Sequence, residues 1–297
     1  ARRPNFNDAE REASAEIAEY GQYRAEVRAS VPLNQDLAFS IAAQLRGFDG
    51  FYNEARTGED TGNSSSRAVV AGLRARLGGN GEAFLRLSYD TQNVGQPSWH
   101  QVPTNYKSGA TDAQRWYKGK LIGDPSKLEH NGADYRGLEM EHFRASLHLD
   151  YDLGGVSLSS ISSYANANSL SDSDTDFTAQ PDLLSGGVLL GNFRSIYDTK
   201  TESYSQELRL QSDGRGPVNW LLGAFYRNEK YELADFTPTA VTGTSSRRAD
   251  DPAYLTRDTK SLGLFGMVSL ELADGLTISQ ELRYSQDQID ETSTPAG

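Results

Sequence analysis

Apolar and polar residues alternate along this chain in paired runs. Residues 23–31 place Tyr23, Ala25, Val27, Ala29 and Val31 on one side and Arg24, Glu26, Arg28 and Ser30 on the other. After the turn Pro32-Leu33-Asn34-Gln35-Asp36, Leu37, Phe39, Ile41, Ala43 and Leu45 alternate with Ala38, Ser40, Ala42, Gln44 and Arg46. A period of two with one apolar side specifies β-strands. The same rhythm predicts about eleven strands, near 11–20, 22–31, 37–47, 66–77, 82–92, 139–151, 156–166, 200–211, 218–231, 259–272 and 276–288. Only 156–166, rich in Ser, fails to separate into two faces.

The connections fall into two kinds. Pro32–Asp36, Gly78–Gly81, Asp152–Gly155, Asp213–Pro217 and Ala273–Gly275 are short and carry the Gly, Asn, Asp or Pro that hairpin turns need. About 48–65, 93–138, 167–199 and 232–258 are long and polar, and they fall on alternate connections, hence at one end. Short turns at one end and long loops at the other are the pattern of a transmembrane β-barrel of an outer membrane.

Composition agrees. No stretch approaches the roughly 18 apolar residues of a membrane-spanning helix. A mean hydropathy of −0.61 is compatible with a barrel, because only alternate strand residues meet lipid. The net charge of −12 argues against nucleic acid as a partner. The absence of cysteine removes thiol catalysis, disulfides and thiolate metal sites. The chain opens at Ala1 and closes on Ser293-Thr294-Pro295-Ala296-Gly297, which reads as a fragment of a longer protein.

Aromatics add a second pattern. On the apolar side, Tyr23, Tyr89, Tyr204, Tyr226 and Tyr284 fall near the long-loop ends of the expected strands, and Tyr151 and Trp220 near the short-turn ends. Rings at both interfaces make the girdles of an outer-membrane barrel. Aromatics of an ordinary soluble sheet are the alternative. A charge on the lipid side costs about 2–4 kcal/mol at the midplane. Arg74, Arg76, Arg86, Arg144, His148, Glu207 and Arg209 are therefore expected to face a wet lumen, the solvated face of a soluble sheet being the other reading.

Several segments resemble the barrel of a TonB-dependent outer-membrane receptor. Arg2-Arg3-Pro4-Asn5-Phe6 is similar to the passage from that family's plug into its first barrel strand. The stretch from Gln22 to Asn53 is similar to its early hairpin and first large loop. SYSQELRLQS (203–212) with VNWLLGAFYRNEKYE (218–232), and LGLFGMVSLELADGLTISQELRYSQDQ (262–288), resemble later hairpins. The resemblance spans nearly all of 1–297, taken as one partial barrel domain. It implies an all-β, antiparallel barrel of 22 strands, of which eleven is about half, with the plug and the TonB box lying elsewhere. It also implies active uptake of a scarce small molecule, such as a ferric siderophore, a vitamin or a glycan. The energy would come from TonB–ExbB–ExbD through the plug, and the setting is the lipid of a Gram-negative outer membrane. A passive porin-like channel and a secreted, carbohydrate-binding β-sandwich are the alternatives, and no enzyme activity or cofactor is expected.

Loop 93–138 is the expected ligand contact. Trp99, His100, Tyr106, Trp116 and Tyr117 lie there among Lys107, Arg115, Lys118 and Lys120, rings that can stack on sugars or flat chelates and cations that can meet anions. Asp172-Ser173-Asp174-Thr175-Asp176 resembles the start of a calcium loop. Phe177 replaces the sixth-position Gly and Leu183 the twelfth-position Glu, so a solvated acidic loop is expected there, with loosely bound calcium as the alternative. His142 and His148 stand too far apart along one strand to share a metal, and no metal site is expected.

Overall fold

The computed structural model describes residues 3–54, 60–95, 127–128, 136–174, 183–185, 188–191, 194–236 and 252–294. Sixteen strands follow in chain order: β1 (Glu10–Ile17), β2 (Tyr23–Pro32), β3 (Leu37–Phe48), β4 (Tyr52–Glu54), β5 (Asp60–Thr61), β6 (Ser64–Leu77), β7 (Gly81–Val94) and β8 (Lys127–Leu128). Then come β9 (Gly137–Asp152), β10 (Val156–Asp174), β11 (Leu183–Ser185), β12 (Val188–Gly191), β13 (Arg194–Ser212), β14 (Val218–Asp235), β15 (Ala253–Ala273) and β16 (Leu276–Thr294). Eleven of them form one antiparallel sheet in the order β1-β2-β3-β6-β7-β9-β10-β13-β14-β15-β16. Every neighbour in it is the next sheet strand in sequence. The β11-β12 pair and the β5-β4-β8 set belong to the long connections.

Directly opposed residues share a face, so the register sorts every strand into two sets. Val27, Ala43, Val69, Tyr89 and Phe143 form one apolar row. The side chains of this face are exposed: Val27 in the row is 55% accessible, and Leu222 and Leu282 further along the face are 56% and 72%. Among the described residues no second sheet covers that face, as the alternative of a sandwich would require. The Ser-rich strand β10 now resolves. Leu158, Ser160, Ser162 and Tyr164 lie on the apolar side and Ser159, Ile161 and Ser163 on the other.

The register also gives the strand tilt. Tyr23 lies four residues loopward of Val27 on β2, so the tyrosine line starts four residues above the Tyr89–Phe143 row. It drops by two at Tyr164, which pairs Tyr204, by two more at Tyr226, and by two again at Tyr284. The line therefore falls ten residues over nine strand steps. With a rise of about 3.3 Å and a strand spacing of about 4.8 Å, a level line of this kind means strands tilted by about 37°. That lies in the range of transmembrane barrels, about 35–45°. On β9, Phe143 and Tyr151 stand eight residues apart, which at this tilt separates the two aromatic lines by about 21 Å. The tyrosines also point polar ends loopward. Tyr164 Oη donates to Glu202 at 2.8 Å and Tyr284 Oη to Gln286 at 3.2 Å, while Tyr89 Oη donates to Glu141.

Several strands run further than alternation suggests. β10 reaches Asp174, β13 starts at Arg194, β14 reaches Asp235, β15 starts at Ala253 and β16 reaches Thr294. Tyr204, Tyr226 and Tyr284 thus sit well inside their strands and not near the loop ends. Loopward of the tyrosines the apolar face itself turns polar, as with Glu202, Lys230 and Lys260, so the period-two signal disappears while the pairing continues. Asp172 is likewise a strand residue and not part of a solvated loop. It is 1% exposed and accepts the Arg136 amide at 3.2 Å. β1 stops at Ile17, earlier than expected, because Ala18–Gln22 closes a turn with Tyr20 at φ 59°.

Candidate functional site

The polar face of the sheet carries the chemistry. Before β1, the chain runs across this face at its short-turn end. Arg3 Nη1 meets Glu82 at 3.2 Å on β7, and its guanidinium lies 5.6 Å from the Phe84 ring. The Pro4 carbonyl accepts from Arg74 at 3.1 Å on β6, and the Asn5 amide donates to Ser30 Oγ at 3.2 Å on β2. Between those anchors the segment crosses β3. There Ala38 is 0% and Ser40 7% exposed, and Pro4 is fully buried. The Phe6 ring takes Arg74 at 4.5 Å and Arg76 at 4.2 Å. Small residues under the crossing make room: a Cβ on Gly72 would stand 2.7 Å from Ser40 Oγ.

The charged residues singled out from the sequence lie on this face, in two groups. Arg74 makes a two-pronged pair with Glu82, at 2.8 and 2.7 Å, and holds Pro4 and Phe6. Arg76 donates to the Gln35 carbonyl at 2.6 Å. Arg86 stands opposite Gly72 and Ser146. Arg144 reaches Asp90 at 3.1 Å, and the His148 ring lies 6.2 Å from Phe84. Glu207 and Arg209 form their own pair two strands further on, with Arg209 5.9 Å from Phe265. Exposed pairs of this kind contribute about 0–1 kcal/mol each. Arg74 and Glu82 are each three-quarters buried with two parallel bonds, which places them at the strong end of that range.

Sequence reading missed the partners: Glu82 and Arg3 around Arg74, and Asp90, which accepts from Arg144 and lies 2.9 Å from His142 Nδ1. Glu82 and Asp90 sit on the alternation that set the strand faces, but only register pairs them with particular arginines. Trp99, His100, Tyr106, Trp116 and Tyr117 lie outside the described residues. Among the described residues no group of three or more metal-ligating side chains is present.

No family model and no curated protein matches the sequence. Solved structures do match its fold. The ferric yersiniabactin uptake receptor FyuA of Yersinia pestis aligns over 98% of this chain and 44% of its own, with TM-score 0.67 and 14% identity. The ferripyoverdine receptor of the Pseudomonas aeruginosa outer membrane, bound to ferripyoverdine, aligns over 100% of this chain and 40% of its own, with TM-score 0.71 and 11% identity. The alcaligin outer-membrane receptor FauA of Bordetella pertussis aligns over 99% and 39%, with TM-score 0.65 and 13% identity. The fold is that of the outer-membrane receptor barrel, and this chain forms about half of one. It spans less than half the length of the structures it matches.

Proposed function

We propose that 1–297 is a partial barrel domain of an active-transport receptor. The full protein would take up a scarce ligand of the ferric-siderophore kind across an outer membrane, using energy relayed by TonB–ExbB–ExbD through a plug. The observation that carries the reading is the superposition of the chain, from end to end, on a ferric yersiniabactin uptake receptor and a ferripyoverdine receptor. The path of residues 3–9 across the polar face before β1 supports it over a passive porin. That path brings the chain to its first strand from inside the barrel, where a plug sits. In this reading Arg74, Arg76, Arg86, Arg144, His148, Glu207 and Arg209 line the lumen, and the Trp99–Tyr117 cluster contacts ligand from outside. Nothing in the reading calls for a cofactor or for catalysis.

The test is uptake. The full-length protein is produced in a Gram-negative host stripped of its own ferric-siderophore receptors, and growth is scored on a panel of iron chelates under iron limitation. Growth on one chelate that disappears when TonB is deleted bears the reading out. Uptake that persists without TonB moves the assignment to a passive channel.

A further inference from the structure

At the loop end of the polar face, one row of directly opposed residues crosses six strands and reads Glu16, Arg24, Arg46, Ser66, Gln92, Met140. Two guanidinium groups therefore stand directly opposite each other across β2 and β3. Like charges in that relation destabilise a sheet. Arg24 is compensated: Glu16 faces it from β1, and Glu26 takes its Nη2 at 2.9 Å. Glu26 is shared further with Arg28 at 3.9 Å. Arg46 is different. It is exposed and, among the described residues, makes no ion pair. Its row neighbours Ser66 and Gln92 offer a hydroxyl and an amide, and Phe48 stands two residues loopward on its own strand face. These side chains line a cavity of about 400 Å³ open at the rim.

We propose that Arg46, with Ser66 and Gln92 beside it, forms a subsite for a carboxylate or similar oxyanion carried by the transported molecule. The inference rests on the transport reading for its biological meaning, but its chemistry is local. A guanidinium gives two parallel bonds to a planar carboxylate, and the hydroxyl and amide donate from the same row. Phe48 favours an anion attached to a flat or apolar body. The bound charge would also relieve the opposition of Arg24 and Arg46.

The experiment uses the full-length protein folded in detergent micelles, with para-fluorobenzoate as probe and para-fluorobenzamide as its neutral isostere, followed by fluorine NMR. The proposal expects the benzoate to bind and the benzamide to bind about tenfold more weakly or not at all, the difference one charge-assisted pair supplies. Arg46→Gln loses that preference. Ser66→Asp loses it too, by setting a carboxylate opposite an intact Arg46, so the result does not hang on one variant. Arg215→Gln, which removes a charge in the turn at the opposite end, leaves it intact. Equal binding of benzoate and benzamide, no benzoate binding, retention of the preference in both pocket variants, or the same loss in Arg215→Gln each overturns the subsite. The two readings separate cleanly. TonB-dependent uptake with unaltered benzoate binding in Arg46→Gln sinks the subsite alone. A benzoate preference in the parent that Arg46→Gln loses, in a protein that supports no uptake, sinks the transport reading alone.

Discussion

Leu222 tests whether the apolar face meets lipid. It lies on the same face as Tyr226, four residues toward the short turn, with 56% of its surface exposed. At the tilt derived from the register, four residues correspond to a depth of about 10 Å below the tyrosine line, near the middle of a band about 21 Å tall. An arginine there must desolvate its charge or thin the bilayer, and the expected cost of Leu222→Arg is about 2–4 kcal/mol. Leu221 is one residue away on the opposite face, so Leu221→Arg is the matched control, expected to cost less than about 1 kcal/mol. The assay is urea unfolding of the full-length protein in lipid vesicles, followed by tryptophan fluorescence. Costs that agree within about 0.5 kcal/mol for the two variants would refute the assignment of the lipid face.

Three further outcomes follow from particular contacts. A side chain at Gly223 would run into the Phe265 ring, whose Cζ stands 2.0 Å from an ideal Cβ. Gly223→Val is therefore expected to cost about 1–3 kcal/mol in the same unfolding assay, and a neutral result would mean that the ring is free to move aside. Arg74→Ala removes both bonds to Glu82 and the bond to Pro4, so residues 3–9 should become protease-sensitive, with about 1–2 kcal/mol lost; an unchanged cleavage rate counts against the crossing. Loopward of the tyrosine line, the hydrogen bond from Lys230 holds the Glu232 carboxyl below its ordinary value of 4.5, and the same bond raises Lys230 above 10.5. The pair's contribution is complete between those two values. It fades as pH falls through the lowered Glu232 value or rises through the raised Lys230 value. Carboxyl NMR should place the Glu232 midpoint below 4.5, moving up in Lys230→Ala, and a midpoint at or above 4.5 in the parent defeats the point.

The sequence makes the sheet legible wherever one strand face meets lipid and the other meets water. Burial then writes a two-residue period, as in Val69, Ala71, Leu73, Ala75 and Leu77. Beyond the tyrosines both faces meet water, the period vanishes, and the extensions of β10, β13 and β16 are invisible to it. Strand β10 was opaque for a second reason. Ser160 and Ser162 lie on the apolar side and satisfy their hydroxyls with Gln206, at 2.9 Å for Ser160, so polar residues stand where the pattern expects apolar ones. The site is less legible than the fold. Which arginine meets which carboxylate depends on register, and Arg3 reaches Glu82 across 79 positions of sequence. The Arg24–Arg46 opposition is likewise a product of register, since in the linear chain the two residues are simply members of two alternating runs.

The parity of the sheet carries the last prediction. With eleven antiparallel strands, β1 and β16 run in the same direction and cannot pair antiparallel with each other. Each is an edge, with the backbone groups of its outer side unpaired among the described residues. In hydrocarbon every unpaired amide or carbonyl costs about several kcal/mol, so an open sheet of this width is not stable in a bilayer. A strand tilted by about 37° occupies about 6 Å of circumference, and eleven occupy about 66 Å. An arc of that width closes only when further strands pair both edges. Residues 1–297 refolded alone into vesicles should therefore fail to give the heat-modifiable gel mobility of a closed barrel, whereas the full-length protein should give it. A compact, heat-modifiable form of 1–297 alone would show that the edges find partners in another way, through self-association or a parallel β1–β16 seam. Crosslinking cysteines placed at Ala13 and Gln280, which lie on the same face at matching depth below the tyrosine line, would tell those two apart by the size of the product.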